Sequence, residues 1–212
     1  MNTLIKNALI IPMTENGLSY RGDIKIEKDI ISDNPNFVAD REIDATNMIC
    51  MPSLINSHTH TSMELMRNYK DTAPDLMSWL GEIFPIEDKL VPNDIKWASL
   101  LAMAEMIQSG TTTFNDMYFM QDNTCEALLE SKMRATIGLT LFGDLEASEA
   151  RSVEHKAMYE KYNGASNGRI EFSVAPHAIY TTNSDSYLYA NRWIKAHGGI
   201  LHTHMSETKN EV

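Results

Sequence analysis

From Pro52 onward the chain alternates between short apolar runs and amphipathic stretches. The apolar runs predict five strands, at 54–58, 111–115, 135–141, 170–175 and 199–204. The stretches between them predict helices at 92–107, 123–133, 148–162 and 184–197, three of which are followed by glycine, at Gly110, Gly164 and Gly198. Strands that alternate with helices form βαβ units, so we expect an α/β fold with parallel strands.

The number of these units relates the chain to a barrel. Residues 52–212 number 161 and hold five predicted strands, about 32 residues for each unit. A (β/α)8 barrel takes about 250 residues, so the sequence predicts the first five units of a longer barrel, with the chain stopping where the fifth helix should begin. An open doubly wound sheet is the alternative for five strands, but it should end on a finished helix.

Residues 1–51 have a different pattern. Alternating or β-branched runs at 3–13, 23–27 and 41–44 predict short strands, and turn residues separate them at 15–17 and 32–35. We therefore expect a small β unit at 1–51 and the βα part at 52–212.

Composition limits the compartment and the partners. Hydrophobic residues make up 43% and charged residues 22% of the chain, as in soluble globular proteins. The net charge of −11 argues against nucleic acid and anionic membrane as partners, because both bind basic surfaces. We predict no membrane span and no signal peptide, and two cysteines are too few for a disulfide framework. We expect a cytoplasmic protein that binds a small molecule or another protein.

Four of the seven histidines lie in two His-x-His pairs at predicted strand ends. His58 and His60 end the first barrel strand, and His202 and His204 end the fifth. Side chains at i and i+2 of a strand point to the same face, and barrel enzymes keep their sites at the carboxyl ends of the strands. One pair alone could be a chance surface pair, but two pairs at the same rim predict a metal site, with imidazole nitrogens that suit Zn²⁺.

Two further residues lie at the same rim. Glu207 follows His204 by three residues and could protonate a ring nitrogen of the substrate while activated water attacks the adjacent carbon. The alternative is a glutamate at a helix amino terminus. His177 ends the fourth strand, where it could donate a hydrogen bond to substrate or be a core or rim histidine. No lysine is present at that strand end to bridge two metals, so we predict one metal.

Several segments resemble one family. These are 52–60, 79–87, 105–118, 175–177 and 202–208, and together they resemble the 5′-methylthioadenosine/S-adenosylhomocysteine deaminases of the amidohydrolase superfamily. The resemblance implies a (β/α)8 barrel joined to a small β-sandwich, to which residues 1–51 would contribute. It also implies one Zn²⁺ per subunit, or Fe²⁺ or Ni²⁺ in its place, held by His58, His60 and His204. The family's remaining site residues, an aspartate after strand eight and a histidine after strand six, lie beyond the five units of this chain.

The same resemblance assigns roles to residues that bind substrate. Glu87 matches a glutamate that holds ribose hydroxyls, and His177 and Glu207 match positions that contact substrate. Arg151 matches an arginine that meets the carboxylate of a homocysteine tail. The stretch 138–144 lacks a second arginine that some members have, which favours methylthioadenosine or adenosine as substrate. His155 and His197 match no functional position, and we expect both on the surface.

The resemblance therefore implies hydrolytic deamination of adenine nucleosides by a homo-oligomeric enzyme, and we expect Glu207 to be its catalytic acid. A related amidohydrolase acting on guanine, cytosine or an s-triazine is the first alternative. The second is an inactive fragment that serves as a scaffold or is a remnant.

Overall fold

The computed structural model describes all 212 residues, and these form two compact units, Met1–Ser53 and Leu54–Val212. No helix combines the length and the apolar composition that a membrane span requires.

The first unit is a five-stranded mixed sheet. Its strands are β1 (Thr3–Ile10), β2 (Tyr20–Glu27), β3 (Ile30–Ser32), β4 (Arg41–Asp44) and β5 (Ile49–Cys50). The order is β3-β2-β1-β4, with β5 also on β1; β2 is antiparallel to β1 and to β3, whereas β4 and β5 run parallel to β1. Ala8, Ile10 and Ala45 form its small core. The sequence predicted three of these strands, and the two that it missed are only three and two residues long.

The second unit is built on a parallel sheet. Its strands are β6 (Leu54–Thr59), β7 (Thr111–Asp116), β8 (Arg134–Leu141) and β9 (Ile170–Pro176), in the order β6-β7-β8-β9. Every neighbouring pair is parallel, as the βαβ pattern predicted. Their carboxyl ends therefore meet at one edge of the sheet, where His58 and His177 lie.

The structure has no regular strand at 199–204, where the sequence predicted the fifth strand. This segment meets β9 only through isolated bridges, Val174 with Leu201 and Ala178 with His204. Val174 N–H donates to Ile200 O and His202 N–H donates to Val174 O, both at 3.0 Å. The next donor in a parallel ladder would be residue 176, but Pro176 has no N–H, so the ladder breaks there. The second unit thus has four regular strands and a fifth extended segment that only follows β9.

Helices connect the strands. They are a 3₁₀ helix (Thr61–Met66), α1 (Leu76–Glu87), α2 (Pro92–Gln108), α3 (Gln121–Ser131), α4 (Leu145–Ala150), α5 (Ser152–Tyr162), α6 (Ala165–Gly168), α7 (Ser184–His197) and a second 3₁₀ helix (Lys209–Glu211). The predicted helix 148–162 is divided into α4 and α5 at Arg151. Helix α1 was not among the predicted helices, and it contains Pro85.

The main core lies between the sheet and its helices. Phe114 of β7, Ile137 of β8 and Ile170 of β9 pack there against Met103 of α2 and Leu128 of α3, and each is at most 1% exposed. Burial of each such side chain is worth about 1.5–3 kcal/mol, and this packing holds the strand ends in place.

His155 was expected on the surface, and that expectation is wrong. Its side chain is buried, and burial lowers its pKa to about 4. Met158 and Tyr162, three and seven residues further along α5, are buried with it. This spacing is that of a single helix face turned to the core. His197 is exposed, as expected, and its ring stacks on Trp193.

Candidate metal centre and cleft

Three histidine rings converge at the carboxyl edge of the parallel sheet. The Nε2 atom of His204 lies 3.0 Å from Nε2 of His58 and 3.2 Å from Nε2 of His60. All three ligand atoms lie within 4.8 Å of one another. Two nitrogens bound at 2.0–2.1 Å to one tetrahedral metal would be about 3.3 Å apart. The spacing therefore suits three ligands of a single ion.

The outer nitrogens of two of these rings are held by backbone carbonyls. His60 Nδ1 donates to the carbonyl oxygen of Met117, and His204 Nδ1 donates to that of His177 at 3.0 Å. A carbonyl only accepts, so each ring carries its proton on Nδ1 and directs the Nε2 lone pair inward. Two lone pairs that face each other at 3.2 Å repel unless a cation lies between them. The donor set thus fits a divalent metal.

The protonation state of the three histidines also suits a metal site. Burial, the largest cause for each, lowers the pKa of His58, His60 and His204. Neutral imidazole is the form that binds a metal, so these rings are in the ligand form at neutral pH.

The turn that carries His60 is fixed by a buried carboxylate. Asp116, the last residue of β7, is fully buried and accepts a hydrogen bond from the N–H of Thr61 at 2.7 Å. Burial raises the pKa of Asp116 to about 6. Because Met117 follows directly and holds His60, the end of β7 orients this ligand from both sides.

A cleft of about 200 Å³ opens beside the histidines. Its aromatic lining includes Trp79, Phe84, Tyr118, Phe119 and Phe142. The polar residues that line it are His60, Glu87, Thr140, His177, Tyr180, His204 and Glu207. The structure therefore brings Glu87, His177 and Glu207 to the same cleft as two of the three predicted ligands.

Glu87, the last residue of α1, lies with its carboxylate buried in the cleft wall. The side chain is 8% exposed, and Oε1 accepts a hydrogen bond from the Tyr118 hydroxyl at 2.6 Å. Burial raises the pKa of Glu87, and the bond from Tyr118 opposes that shift. Burial also raises the pKa of Tyr118, which keeps its hydroxyl a donor.

His177 and Glu207 also line the cleft. The His177 ring stacks on Phe142 with 4.7 Å between centroids, and its Nδ1 lies 2.7 Å from Oγ1 of Thr181. Glu207 is exposed and accepts a hydrogen bond from the Tyr180 hydroxyl at 2.8 Å. Burial is the larger cause, and this hydrogen bond the second, of a raised pKa for Tyr180.

Among the residues predicted to bind substrate, Arg151 alone does not line the cleft. It is exposed between α4 and α5, and its guanidinium lies 6.0 Å from the Phe142 ring. Phe142 separates it from His177, so Arg151 lies behind the cleft wall.

Comparison with known proteins identifies the group to which this arrangement belongs. A family model for the amidohydrolase family matches residues 49–212. The chain belongs to the amidohydrolase family. The matched residues include all of β6 to β9 and the three histidines of the candidate metal centre.

Two curated relatives of this amidohydrolase are named 5-methylthioadenosine/S-adenosylhomocysteine deaminase. The protein from Thermoanaerobacter pseudethanolicus is 41% identical over 220 residues, and the one from Desulforudis audaxviator is 40% identical over 223 residues. The alignments cover 100% of this chain but 51% and 50% of the relatives. The chain thus spans about half the length of the curated relatives that it matches.

Solved structures show the same fold. An adenosine deaminase from Xanthomonas campestris with bound zinc superposes with a TM-score of 0.87 at 24% identity, over 99% of this chain and 50% of that one. An atrazine chlorohydrolase from Arthrobacter aurescens, complexed with zinc, gives a TM-score of 0.80 at 22% identity, over 97% and 53%.

Proposed function

We propose that this amidohydrolase is a zinc-dependent deaminase that converts adenine nucleosides to hypoxanthine nucleosides and ammonia. The substrates are 5′-methylthioadenosine, S-adenosylhomocysteine and adenosine. The convergence of three histidine Nε2 atoms beside a cleft that contains Glu87, His177 and Glu207 carries the proposal. The names of the two curated relatives support the choice of substrate class.

His58, His60 and His204 would hold the metal. Three imidazoles suit Zn²⁺, and Fe²⁺ or Ni²⁺ are the other metals that such a set accepts. We propose one metal, because the end of β9 provides His177 and no lysine that could bridge two. A metal bound there supplies Lewis acidity, which lowers the pKa of water from 15.7 to about 7.

Glu207 would move the proton. Its carboxylate lies at the cleft and is oriented by Tyr180, so it can take a proton from the attacking water and deliver it to N1 of the adenine ring. Water adds at C6, its second proton passes to the amino group, and the C6–N bond breaks to release ammonia, which leaves the hypoxanthine product.

His177 and Glu87 would position the substrate. Thr181 and Phe142 fix the His177 ring, which then offers its other nitrogen to the base. Tyr118 binds Oε1 of Glu87, which leaves Oε2 to accept from the vicinal ribose hydroxyls. Arg151, behind Phe142, would be reached only by a long substituent such as a homocysteine tail.

The fold of the whole protein is part of the same proposal. Residues 52–212 would be the first part of a (β/α)8 barrel, and residues 1–51 part of a small β-sandwich. An aspartate after strand eight and a histidine after strand six would complete the centre. We also infer a cytoplasmic homo-oligomer, on the family resemblance alone.

Deamination by the complete enzyme tests the proposal. Purified protein is incubated with the three adenine nucleosides and, separately, with guanine, cytosine and an s-triazine, and ammonia release is measured. We expect turnover of the nucleosides only, and turnover of a free base or triazine alone would refute the assignment.

Two variants test the residue roles in the same assay. Glu207→Gln should keep its metal and lose activity by about 10²–10⁴-fold, and an unchanged kcat would exclude Glu207 as the proton donor. Glu87→Ala should raise KM for nucleosides, because the variant loses the carboxylate that accepts hydrogen bonds from the ribose hydroxyls. A free base has no ribose, so its turnover would not depend on Glu87.

A further inference from the structure

The third histidine of the centre differs from the other two in how its outer nitrogen is held. His60 and His204 donate to backbone carbonyls. His58 has no such carbonyl at Nδ1; instead this atom lies 2.7 Å from Nε2 of His202. The two rings are nearly perpendicular, with 4.8 Å between centroids.

His202 is itself fixed in place. Its side chain is 8% exposed, and its backbone N–H donates to Val174 O of β9 at 3.0 Å. The Nδ1 atom of its ring is buried and has no hydrogen-bond partner in the protein. An imidazole at this position serves no other polar group, so its contact with His58 is its one polar interaction through the side chain.

Protonation decides what that contact does. One of the two facing nitrogens must carry the proton, because a hydrogen bond needs one donor and one acceptor. If His202 Nε2 donates, His58 has its own proton on Nε2, which points at His204 and blocks a metal. If His202 Nε2 accepts, His58 carries its proton on Nδ1 and its Nε2 lone pair joins those of His60 and His204.

We propose that His202 is a positioning residue for the metal centre: its Nε2 accepts the Nδ1 proton of His58 and so holds His58 in the form that binds the metal. The role is that of the carbonyls at His60 and His204, taken here by a neutral imidazole. It rests on the proposed metal centre, and it requires no contact between His202 and substrate.

Metal affinity of the complete protein tests this role without an activity readout. The dissociation constants for Zn²⁺ and Co²⁺ are measured by competition with a chromophoric chelator, for the wild type and for two variants. His202→Leu removes the hydrogen-bond acceptor and replaces the ring with an apolar side chain of similar size. Since loss of an outer-shell partner costs about 10–100-fold in metal affinity, we expect weakening in that range.

His202→Gln is the conservative variant. The Gln amide oxygen reaches as far as Nε2 of histidine and can accept the same proton, so affinity should return to within a few-fold of the wild type. The matched control is His155→Leu, which also replaces a buried histidine but lies in α5 and makes no ring contact with the centre. It should leave both dissociation constants unchanged. Wild-type affinity in His202→Leu, or equal loss in the Leu and Gln variants, would overturn the inference.

A second measurement uses the wild type alone and does not depend on how the variants fold. Long-range ¹H–¹⁵N spectra of the Zn²⁺-loaded protein report which ring nitrogen carries each proton. We expect His58 protonated at Nδ1 and His202 unprotonated at Nε2, and the reverse assignment refutes the role. Metal binding without deamination would refute the proposed function and leave this inference standing.

Discussion

The hydrogen bond between Tyr118 and Glu87 is buried, and its burial allows us to predict how much stability is lost when the bond is removed. Tyr118→Phe removes only a hydroxyl that donates at 2.6 Å to a carboxylate, and both residues are less than 10% exposed. A hydrogen bond to a charged group contributes about 1.5–3 kcal/mol, and little water can reach Glu87 to replace it. We expect the free energy of unfolding at pH 7 to fall by about that amount.

The loss of unfolding free energy in Tyr118→Phe should grow as pH rises. Burial already raises the pKa of Glu87, and without Tyr118 the pKa rises further. Between its unfolded and its folded pKa, the folded protein binds the proton more tightly than the unfolded chain, so stability falls as pH rises. The phenylalanine variant should therefore be near wild type at pH 4, where Glu87 is protonated, and fall progressively below it toward pH 7.

Urea unfolding between pH 4 and pH 7 measures this difference. Tyr180→Phe is the matched control, because Tyr180 also donates to a carboxylate, at 2.8 Å, but that carboxylate belongs to the exposed Glu207. We expect it to cost about 0.5 kcal/mol or less. Equal losses in the two variants, or a loss in Tyr118→Phe that does not change with pH, would show that burial of Glu87 does not set the strength of the bond.

Two further predictions concern the surroundings of the centre. Burial raises the pKa of Asp116 from 3.8 to about 6, so its ionisation should cost about 2 kcal/mol of stability as pH rises from 4 to 6. Asp116→Asn can still accept from Thr61 and should flatten that part of the stability profile; an unaltered profile would mean that Asp116 does not titrate there. Arg151→Ala should raise KM for S-adenosylhomocysteine about tenfold, the loss of one charge-assisted bond, while KM for methylthioadenosine stays constant; an equal change for both substrates would place Arg151 outside tail recognition.

The strands, and the placement of His58, His60 and His204 at one edge of the sheet, could be predicted because they depend on local patterns. Apolar runs located β6 to β9 within one residue at each end, and the spacing of His58 and His60 already places both on one side of a strand. The predicted strand 199–204 was wrong because its pairing depends on Pro176 in a different segment, whose missing N–H interrupts the ladder.

The residues that orient the site were missed for a related reason. Met117 and His177 act through backbone carbonyls, which have no signature in the sequence. Tyr118 was noted within a family motif, but its contact with Glu87 joins residues 31 positions apart. Helix α1, which carries Glu87, contains Pro85, a residue that disfavours a helix interior, so the sequence did not predict it. Only the burial of His155 could have been predicted, from its spacing with Met158 and Tyr162.

The central claim is that His58, His60 and His204 hold a metal on which deamination of adenine nucleosides depends. The most direct test is the rate of ammonia release from methylthioadenosine by the complete enzyme before chelation, after removal of metal, and after titration with Zn²⁺. The account predicts that activity disappears with the metal and returns fully at one equivalent of Zn²⁺ per subunit. Deamination that survives complete removal of metal, or a fully zinc-loaded enzyme that releases no ammonia, would contradict it.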